Sequence, residues 1–391
     1  MPLILTRSPY SVSRLNLDEG ATMTLEIGEK DTGVFIIFKS YSLSFRSKLF
    51  IDISPLIRDF YSATYSYDKS SGEYFTPKSI TNLLFVRVTI DGLVDGVAPA
   101  GGSTITEWLA TDGYLYNTDS FNEDKFIPLV ENAYYTGSSN TIYKLDDSNI
   151  RITLLKSFDD ASSEIAYIDF YNKGLLVKTI QTEFNPIQLR DNLRTVSDND
   201  YSSYKERVDT DNGTLEGSNC LDVFFRNTEL DEYDRIIIRT DYATKVLRVN
   251  TITECKYDPY RITFKNRFGT DEDLWFFKKS SKSLKVSKED FRSNEFKAYN
   301  AGATARQMQQ YNKNGRESLT LNSGFVVEEI NESFKQLMLS EEVTLYDFKN
   351  DITSAINISN GELEYKTVTN DKLINYTIDI EFSNTVINSF V

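Results

Sequence analysis

The amino-acid sequence predicts a mainly β protein, with tandem β-sandwich-like domains followed by a small α+β unit of antiparallel strands plus one helix. Three observations support this: many short β-branched or aromatic runs between turn residues, a strand-and-proline pattern that occurs twice, and one amphipathic stretch near the C-terminus. Many short strands separated by turns are typical of sandwiches and barrels. The predicted strands cover residues 22–27, 34–38, 48–53, 83–90, 149–155, 165–171, 175–180, 221–226, 235–240 and 245–253.

A strand followed by a proline and an Arg-Asp pair occurs at 49–61 (LFIDISPLIRDFY) and again at 179–193 (TIQTEFNPIQLRDNL). Ser precedes Pro55 and Asn precedes Pro186, which suits an N-cap followed by the first helical position. Each copy therefore predicts a short helix. The similar spacing indicates two tandem copies of one sandwich, but a common capping signal would give the same pattern without a repeat.

These patterns predict four segments along the chain. We expect a β-sandwich domain over 1–145 and a second sandwich-like domain over 146–293. Residues 294–317 have no strand period and few bulky apolar side chains, so they predict a linker or arm. Residues 318–391 form the predicted C-terminal α+β unit.

One helix is predicted at 326–339, because apolar residues recur there every three or four positions. The stripe consists of Val326, Val327, Ile330, Phe334, Leu337 and Met338. Two glutamates in the first turn interact favourably with the helix dipole. The flanking strands are predicted at 318–321, 342–348, 362–368 and 375–383. A helix beside antiparallel strands indicates an α+β arrangement.

The stretch RITFKNRFGTDEDLWFFKKS (261–280) concentrates aromatic residues around an acidic turn. Its continuous run 274–277 predicts a strand covered on both faces. The cover is the chain's own second sheet, a neighbouring subunit, or, least favoured, a ligand. Aromatic residues are enriched at interface centres. The interface candidates are therefore Phe264, Phe268, Trp275, Phe276 and Phe277, together with Phe334 and Met338 of the helix.

The composition argues against several functional classes. The chain has no histidine, which excludes histidine-based catalysis and histidine metal ligands. Its net charge of −15 argues against specific nucleic-acid binding, which depends on Lys and Arg contacts to phosphates. An acidic surface is better suited to lining a passage beside DNA, which it repels, than to binding DNA. The two cysteines do not make a disulfide scaffold, and no apolar run is long enough to span a membrane.

Acidic clusters occur at 271–273 and 231–234 and in the sequence DTDNG (209–213). The last resembles a calcium loop but has its glycine one position early and lacks flanking helices. A hairpin turn is the preferred interpretation. No local motif singles out a carboxylate pair for glycoside hydrolysis. We therefore expect no enzyme activity, no catalytic residues, no metal site and no cofactor.

The largest basic segment is KKSSKSLKVSKEDFR (278–292). It alternates around Leu284 and Val286, which predicts an exposed strand that bears lysines. Edge strands use lysine to block unwanted pairing. The segment is therefore predicted to lie at the edge of a sheet.

Two strings carry a resemblance to a known family. The first is F-x-N-R-F-G (264–269) followed by W-F-F-K (275–278), and the second is S-E (340–341) followed by N-Y-x-I-x-I-E-F (375–382). Segments 257–291, 324–348 and 373–388 resemble virion structural proteins of tailed bacteriophages, over less than a third of the chain. The C-terminal plan also resembles the building blocks of tail-tube and distal-tail proteins. The resemblance implies a virion component near the tail or neck, assembled in the host cytoplasm, with no catalytic residues.

These expectations favour a structural protein that forms an oligomeric ring or sleeve with itself and other tail or neck proteins, without a membrane. The alternative is a β-sandwich receptor- or glycan-binding module for host attachment, with recognition in loops 91–104 and 112–125. Exposed tyrosines, as in 61–67 and 133–135, would stack on sugars in that case. A carboxylate-based glycan hydrolase is a third, less favoured possibility.

Overall fold

The protein is represented by a computed structural model. It describes residues 3–17, 22–29, 35–42, 46–60, 75–79, 84–91, 103–117, 134–145, 148, 150–155, 164–184, 214–216, 220–225, 233–240, 244–253, 256–292, 308–364 and 374–387. The chain divides into two compact units. Unit 1 contains Met1–Thr253 and Lys265–Glu272, and unit 2 contains Glu254–Phe264 and Asp273–Val391.

Strands dominate both units, so the predicted mainly β fold class is confirmed. In chain order the strands are β1 Leu3–Leu5, β2 Ser11–Leu17, β3 Thr22–Glu29, β4 Phe35–Ser42, β5 Arg46–Asp52, β6 Phe75–Ser79, β7 Leu84–Asp91, β8 Ser103–Thr111, β9 Tyr134–Tyr135, β10 Thr141–Leu145, β11 Ile150–Leu155, β12 Glu164–Asn172, β13 Leu175–Phe184, β14 Thr214–Glu216, β15 Cys220–Phe225, β16 Arg235–Arg239, β17 Thr244–Ile252, β18 Tyr260–Lys265, β19 Asp271–Phe276, β20 Ser281–Arg292, β21 Met308–Val326, β22 Val343–Asp347, β23 Ile352–Ile358 and β24 Ile374–Phe382. Helix α1 is Ser54–Arg58 and helix α2 is Asn331–Leu339. Among the described residues, no helix has the length and apolar character needed to cross a membrane.

The first core of unit 1 joins a five-stranded sheet, ordered β1-β8-β7-β3-β4, to the two-stranded sheet of β2 and β5. Alternate residues of β3, from Met23 to Ile27, point into this core, as the two-residue period of a strand requires. Helix α1 adds the fully buried Ile57. The short helix predicted beside Pro55 is confirmed, but its N-cap position is Ile53 and not the expected serine.

The second core of unit 1 lies between a six-stranded sheet, ordered β10-β17-β16-β12-β13-β14, and a four-stranded sheet, ordered β6-β15-β11-β9. Ile152 and Leu154 of β11 face Ile168 and Phe170 of β12. Each such fully buried side chain stabilises the fold by about 1.5–3 kcal/mol relative to exposure. Two sheets that share one apolar core form a sandwich.

Unit 2 is built on a seven-stranded sheet, ordered β19-β18-β22-β23-β24-β21-β20. Strand β24 alternates buried Tyr376, Ile378 and Ile380 with exposed residues, as predicted. The predicted helix is confirmed over α2, preceded by a 3-10 turn at Glu328–Ile330. Val326 instead ends β21. Phe334 of α2 packs against Tyr376, with ring centroids 4.3 Å apart.

Several strands join different sheets from those that the predicted boundaries imply. Strand β6 pairs with β15, and β9 and β10 join the second sandwich, although all three precede residue 146. Strand β20 pairs with β21 in unit 2 and not with the second sandwich. Sequence patterns identify strands, but the choice of sheet depends on ladder partners far away in the chain.

Residues 308–317 also differ from the expected linker, because they form the first half of the 19-residue strand β21. Most of these residues are exposed, so no apolar alternation marked them as a strand. Residues 362–364, the described part of the expected strand 362–368, are not a strand, whereas β23 was not predicted. The helix expected after Pro186 lies outside the described residues.

Candidate functional site

The aromatic residues of 261–280 lie in strands β18 and β19 and the turn between them. Phe264 and Phe276 are fully buried, and Trp275 and Phe277 are 5% and 7% exposed. The continuous run predicted to be covered on both faces is therefore buried from Leu274 onward. This part of the stretch is a structural core.

The two faces of β19 have different partners. Phe276 makes an edge-to-face contact with Phe334 of α2, with ring centroids 6.0 Å apart. Trp275 makes an edge-to-face contact with Phe348 at 6.2 Å, and the Arg261 guanidinium lies 5.7 Å from the tryptophan ring. The helix therefore covers one side of the strand, and aromatic and guanidinium groups cover the other.

Five of the seven interface candidates are buried within the chain: the four aromatic residues just described and Phe334, which is 1% exposed. Phe268 and Met338 are partly buried. Side chains that the chain itself encloses have no surface to offer a second protein.

The acidic residues expected in the turn instead begin strand β19, and the turn itself lies at 267–269. Asp271 and Glu272 belong to unit 1, where ion pairs and hydrogen bonds hold them. Asp271 accepts contacts from Lys265 Nζ at 2.7 Å and Arg151 Nη1 at 2.9 Å. Both cations are nearly buried, with side chains 8% and 5% exposed. Burial alone would raise the pKa of Asp271, but the charges of Lys265 and Arg151 outweigh it and hold that pKa below its ordinary value.

Further hydrogen bonds hold the turn and the start of β19. The Asn266 side-chain oxygen accepts from the backbone N–H groups of Phe268 and Thr270, and its Nδ2 donates to the Thr136 carbonyl. Glu272 accepts from the Ser138 backbone N–H at 3.1 Å and its hydroxyl at 2.5 Å. Gly269 has φ +73°, which favours glycine in the turn.

The neighbouring Asp273, in unit 2, accepts from the Thr263 hydroxyl at 2.5 Å. Each acid of the cluster therefore has a structural partner, which is the arrangement of a folded turn and not of a carboxylate pair kept for catalysis. No group of three or more acidic or cysteine side chains within the described part of the chain could hold a metal ion. The DTDNG turn (209–213) and Cys255 lie outside the described residues.

The largest exposed element is the ribbon formed by β20 and the first half of β21, which we call the β20–β21 ribbon (281–292 and 308–317). All twelve residues of β20 are exposed, which confirms the exposed strand predicted for the basic segment. Among the described strands, β20 is the last of its sheet and hydrogen-bonds only to β21. No other described strand pairs with its second backbone edge.

The ribbon carries two exposed apolar clusters. At one, Leu284 and Val286 are 55% and 53% exposed, and a Cβ on Gly315 would lie 2.9 Å from the Leu284 side chain. Val386 lies beside the same glycine and donates its backbone N–H to the Gly315 carbonyl. These residues form one patch on one face of the ribbon.

The second cluster is the pair Phe291 and Tyr311, which pack edge to face with ring centroids 5.4 Å apart. Met308, 59% exposed, lies opposite Arg292 and therefore on the other face of the ribbon. No local sequence pattern marks Tyr311 and Met308, which lie in the expected linker. In a pair of exposed strands, such clusters can be recognised only after the pairing register of the two strands is known.

Comparisons with known proteins identify no family for this chain. No protein-family model matches it. A search of curated proteins found no match.

The loops expected to recognise glycans are described only in part. Residues 92–102 and 118–125 lie outside the described residues, as does the tyrosine-rich segment 61–67. Tyr135 of the second predicted tyrosine group is 8% exposed and belongs to the second core. That tyrosine therefore packs inside the sandwich.

Proposed function

We propose that this protein is a non-enzymatic structural component of a phage virion that assembles with copies of itself into a ring or sleeve in the tail or neck. The observation that carries the proposal is the exposure of β20 along its whole length. The resemblance of the aromatic and C-terminal strings to tailed-phage virion proteins supplies the virion context. The ribbon, and not the buried aromatic residues, forms the proposed contact.

A strand edge such as that of β20 can bind another chain by strand addition. An edge strand presents alternating N–H and C=O groups that a strand from another chain can pair with. Twelve residues provide a long edge, since most strands in globular proteins have about five or six. The apolar clusters of the ribbon add side-chain burial to the backbone pairing.

The charge of β20 favours a head-to-tail contact over a two-fold one. The strand bears Lys282, Lys285, Lys288 and Arg292 against Glu289 and Asp290, so pairing with its own copy would bring two strands of net positive charge together. Like charges directly opposite each other destabilise strand pairs. The rest of the chain is acidic, with a net charge of −15 overall, so a different surface of the next copy is a better partner. Head-to-tail contacts that close produce rings.

A non-enzymatic role is supported by the partners of the acidic turn. Asp271, Glu272 and Asp273 are held by cations or hydroxyl groups of the fold. The chain has no histidine to act as a general base near neutral pH. The resemblance to virion structural proteins points the same way.

The proposal is tested by negative-stain imaging and light scattering of the full chain and a ribbon variant. The double variant Leu284→Asp/Val286→Asp places charge in the exposed patch and is expected to abolish rings while leaving the fold intact. A matched control is Leu175→Asp/Leu176→Asp, because these residues are 76% and 55% exposed at the tip of the β12–β13 hairpin. The control is expected to assemble like the unchanged chain.

Rings that persist in the ribbon variant would contradict the proposed contact. A chain that stays monomeric and binds cell-surface polysaccharide would support the receptor-binding alternative instead. Tryptophan emission, which reports burial of Trp275, confirms that each variant is folded before its assembly is measured.

A further inference from the structure

The outer face of the six-stranded sheet in unit 1 carries an unusual set of charged and aromatic side chains. In β16, Ile236 and Ile238 point into the sandwich core, so Arg235, Ile237 and Arg239 point outward. Three residues lie directly opposite them on each side. On β12 these are Tyr171, Asp169 and Tyr167, and on β17 they are Arg248, Val246 and Thr244.

One arginine of this face is fully engaged. Arg239 Nε donates to Asp169 Oδ2 at 2.5 Å, and Asp169 also accepts from the Thr179 hydroxyl at 2.7 Å. The Asp169 side chain is only 2% exposed. Asp169, the carboxylate on this part of the face, is therefore already paired with Arg239 and Thr179.

The other two arginines form a like-charge pair. Arg235 and Arg248 are directly opposite each other in the β16–β17 ladder. Within the described part of the chain, neither forms an ion pair, and Asp234 beside them instead accepts the Lys173 backbone N–H. Two cations opposite each other reduce the stability of a strand pair, so the fold gains nothing from their adjacency.

The Arg235 guanidinium lies over the Tyr171 ring, 5.2 Å from its centroid. A guanidinium that stacks on a ring keeps its in-plane N–H groups available for a carboxylate. Arg248 is exposed on the same face. The Arg235 guanidinium leans toward β12 and Arg248 stands on β17, so the two cations present one positively charged stretch of this face to an anionic group.

A pair of aliphatic residues lies next to the two arginines along the strands. Ile237 and Val246 are directly opposite each other, two residues from Arg235 and Arg248, and Val246 is 44% exposed. Two residues along a strand span about 6.6–6.8 Å, which is the distance between alternate side chains of any extended chain. The face therefore matches a segment that alternates an acidic and an aliphatic side chain.

We infer that this face binds an extended acidic segment of another protein, with a Glu or Asp carboxylate at Arg235 and Arg248 and an aliphatic side chain on Ile237 and Val246. The charge of the pair complements that segment. A glycan is the weaker match, because guanidinium groups already lie over the Tyr167 and Tyr171 rings that would stack on sugars. This inference is independent of the ring assembly proposed above.

The test is fluorescence anisotropy with a labelled, acetylated Glu-Val-Glu-Val-Glu peptide and the full chain, at low and physiological salt. Arg248→Gln and Arg235→Gln are each expected to weaken peptide binding about tenfold, since a hydrogen bond to a charged group contributes that much. Arg58→Gln is the matched control, because the Arg58 side chain is 40% exposed, already pairs with Asp112 and lies outside both this face and the ribbon. It is expected to leave binding unchanged.

A thermal melt separates binding from a structural role. Removing one member of a like-charge pair is expected to leave the melting temperature unchanged or raised, whereas a lower value for both variants would indicate that the arginines hold the fold and would overturn the inference. Equal weakening by Arg58→Gln, or no peptide binding at low salt, would also overturn it. Tighter binding of polygalacturonate through Arg235 and Arg248 would assign the face to an acidic polysaccharide and not to a protein segment.

Discussion

Replacing Phe276 with alanine removes the ring that joins strand β19 to helix α2. The side chain is fully buried and meets Phe334 edge to face at 6.0 Å. A buried Phe→Ala change costs about 3–5 kcal/mol, and an aromatic pair contributes about 0.5–1.5 kcal/mol of such a cost. We expect unit 2 to lose about 4 kcal/mol, which lowers its folding constant roughly a thousandfold.

The assay uses the two tryptophans of the chain, Trp108 in unit 1 and Trp275 in unit 2. In a Trp108→Phe background, Trp275 is the only tryptophan and its emission reports the unfolding of unit 2. Urea titrations then compare the unfolding midpoint with and without Phe276→Ala. A lower midpoint with an unchanged slope indicates lost stability and not a changed unfolded state.

The matched control is Phe291→Ala, because Phe291 is 43% exposed on the ribbon of the same unit. Its ring is already largely in water, so the expected cost is about 1 kcal/mol or less. If both changes lower the midpoint equally, Phe276 is not the central contact of the core, and the assignment of the aromatic stretch to the core would be refuted.

Three further perturbations have defined outcomes. Asp271→Asn leaves two nearly buried cations without their carboxylate and is expected to cost about 3–5 kcal/mol in urea titrations at pH 7. Because the pKa of Asp271 is lowered, its contribution is present above the unfolded value near 4 and is lost as pH falls through the folded value. Burial raises the pKa of Tyr10 to about 12, so stability is expected to fall as pH rises from about 10 to 12. Tyr10→Phe should make that fall shallower in alkaline titrations, whereas Tyr233 and Tyr260, whose pKa values burial also raises, retain their part of it. Gly324→Ala is expected to cost about 2 kcal/mol or more in urea titrations of unit 2, because Gly324 has φ +70° and a Cβ would lie 2.5 Å from the Phe277 ring.

Each outcome has a result that would contradict it. Stability of the Asp271→Asn variant that matches the unchanged chain from pH 7 to pH 2 would show that the ion pairs contribute nothing. An alkaline fall as steep in Tyr10→Phe as in the unchanged chain would place its origin entirely in other groups. A Gly324→Ala variant as stable as the unchanged chain would mean that the backbone there relaxes freely, and Gly361→Ala, with open space around it, is the control.

The parts of the fold that were predictable have one face in water and one in a core. Tyr376, Ile378 and Ile380 alternate in β24 because that strand is buried on one side, and α2 keeps its apolar stripe for the same reason. The first half of β21 lacks such a pattern. Its residues are mostly exposed, so only backbone pairing with β20 makes it a strand.

The polar contacts of the acidic turn were beyond sequence reasoning for a different reason. Ser138 and Glu272 hydrogen-bond although they are 134 residues apart, and no local spacing links them. The acidic cluster was visible in the sequence, but its partners were not. The Arg235–Arg248 pair likewise becomes visible only through the register of the β16–β17 ladder.

The most direct test of the account is the mass of the unchanged chain in solution, measured by light scattering at micromolar concentration. The account predicts a discrete mass that is a multiple of the 44.8 kDa of one chain. A single species at 44.8 kDa over the whole concentration range would contradict it.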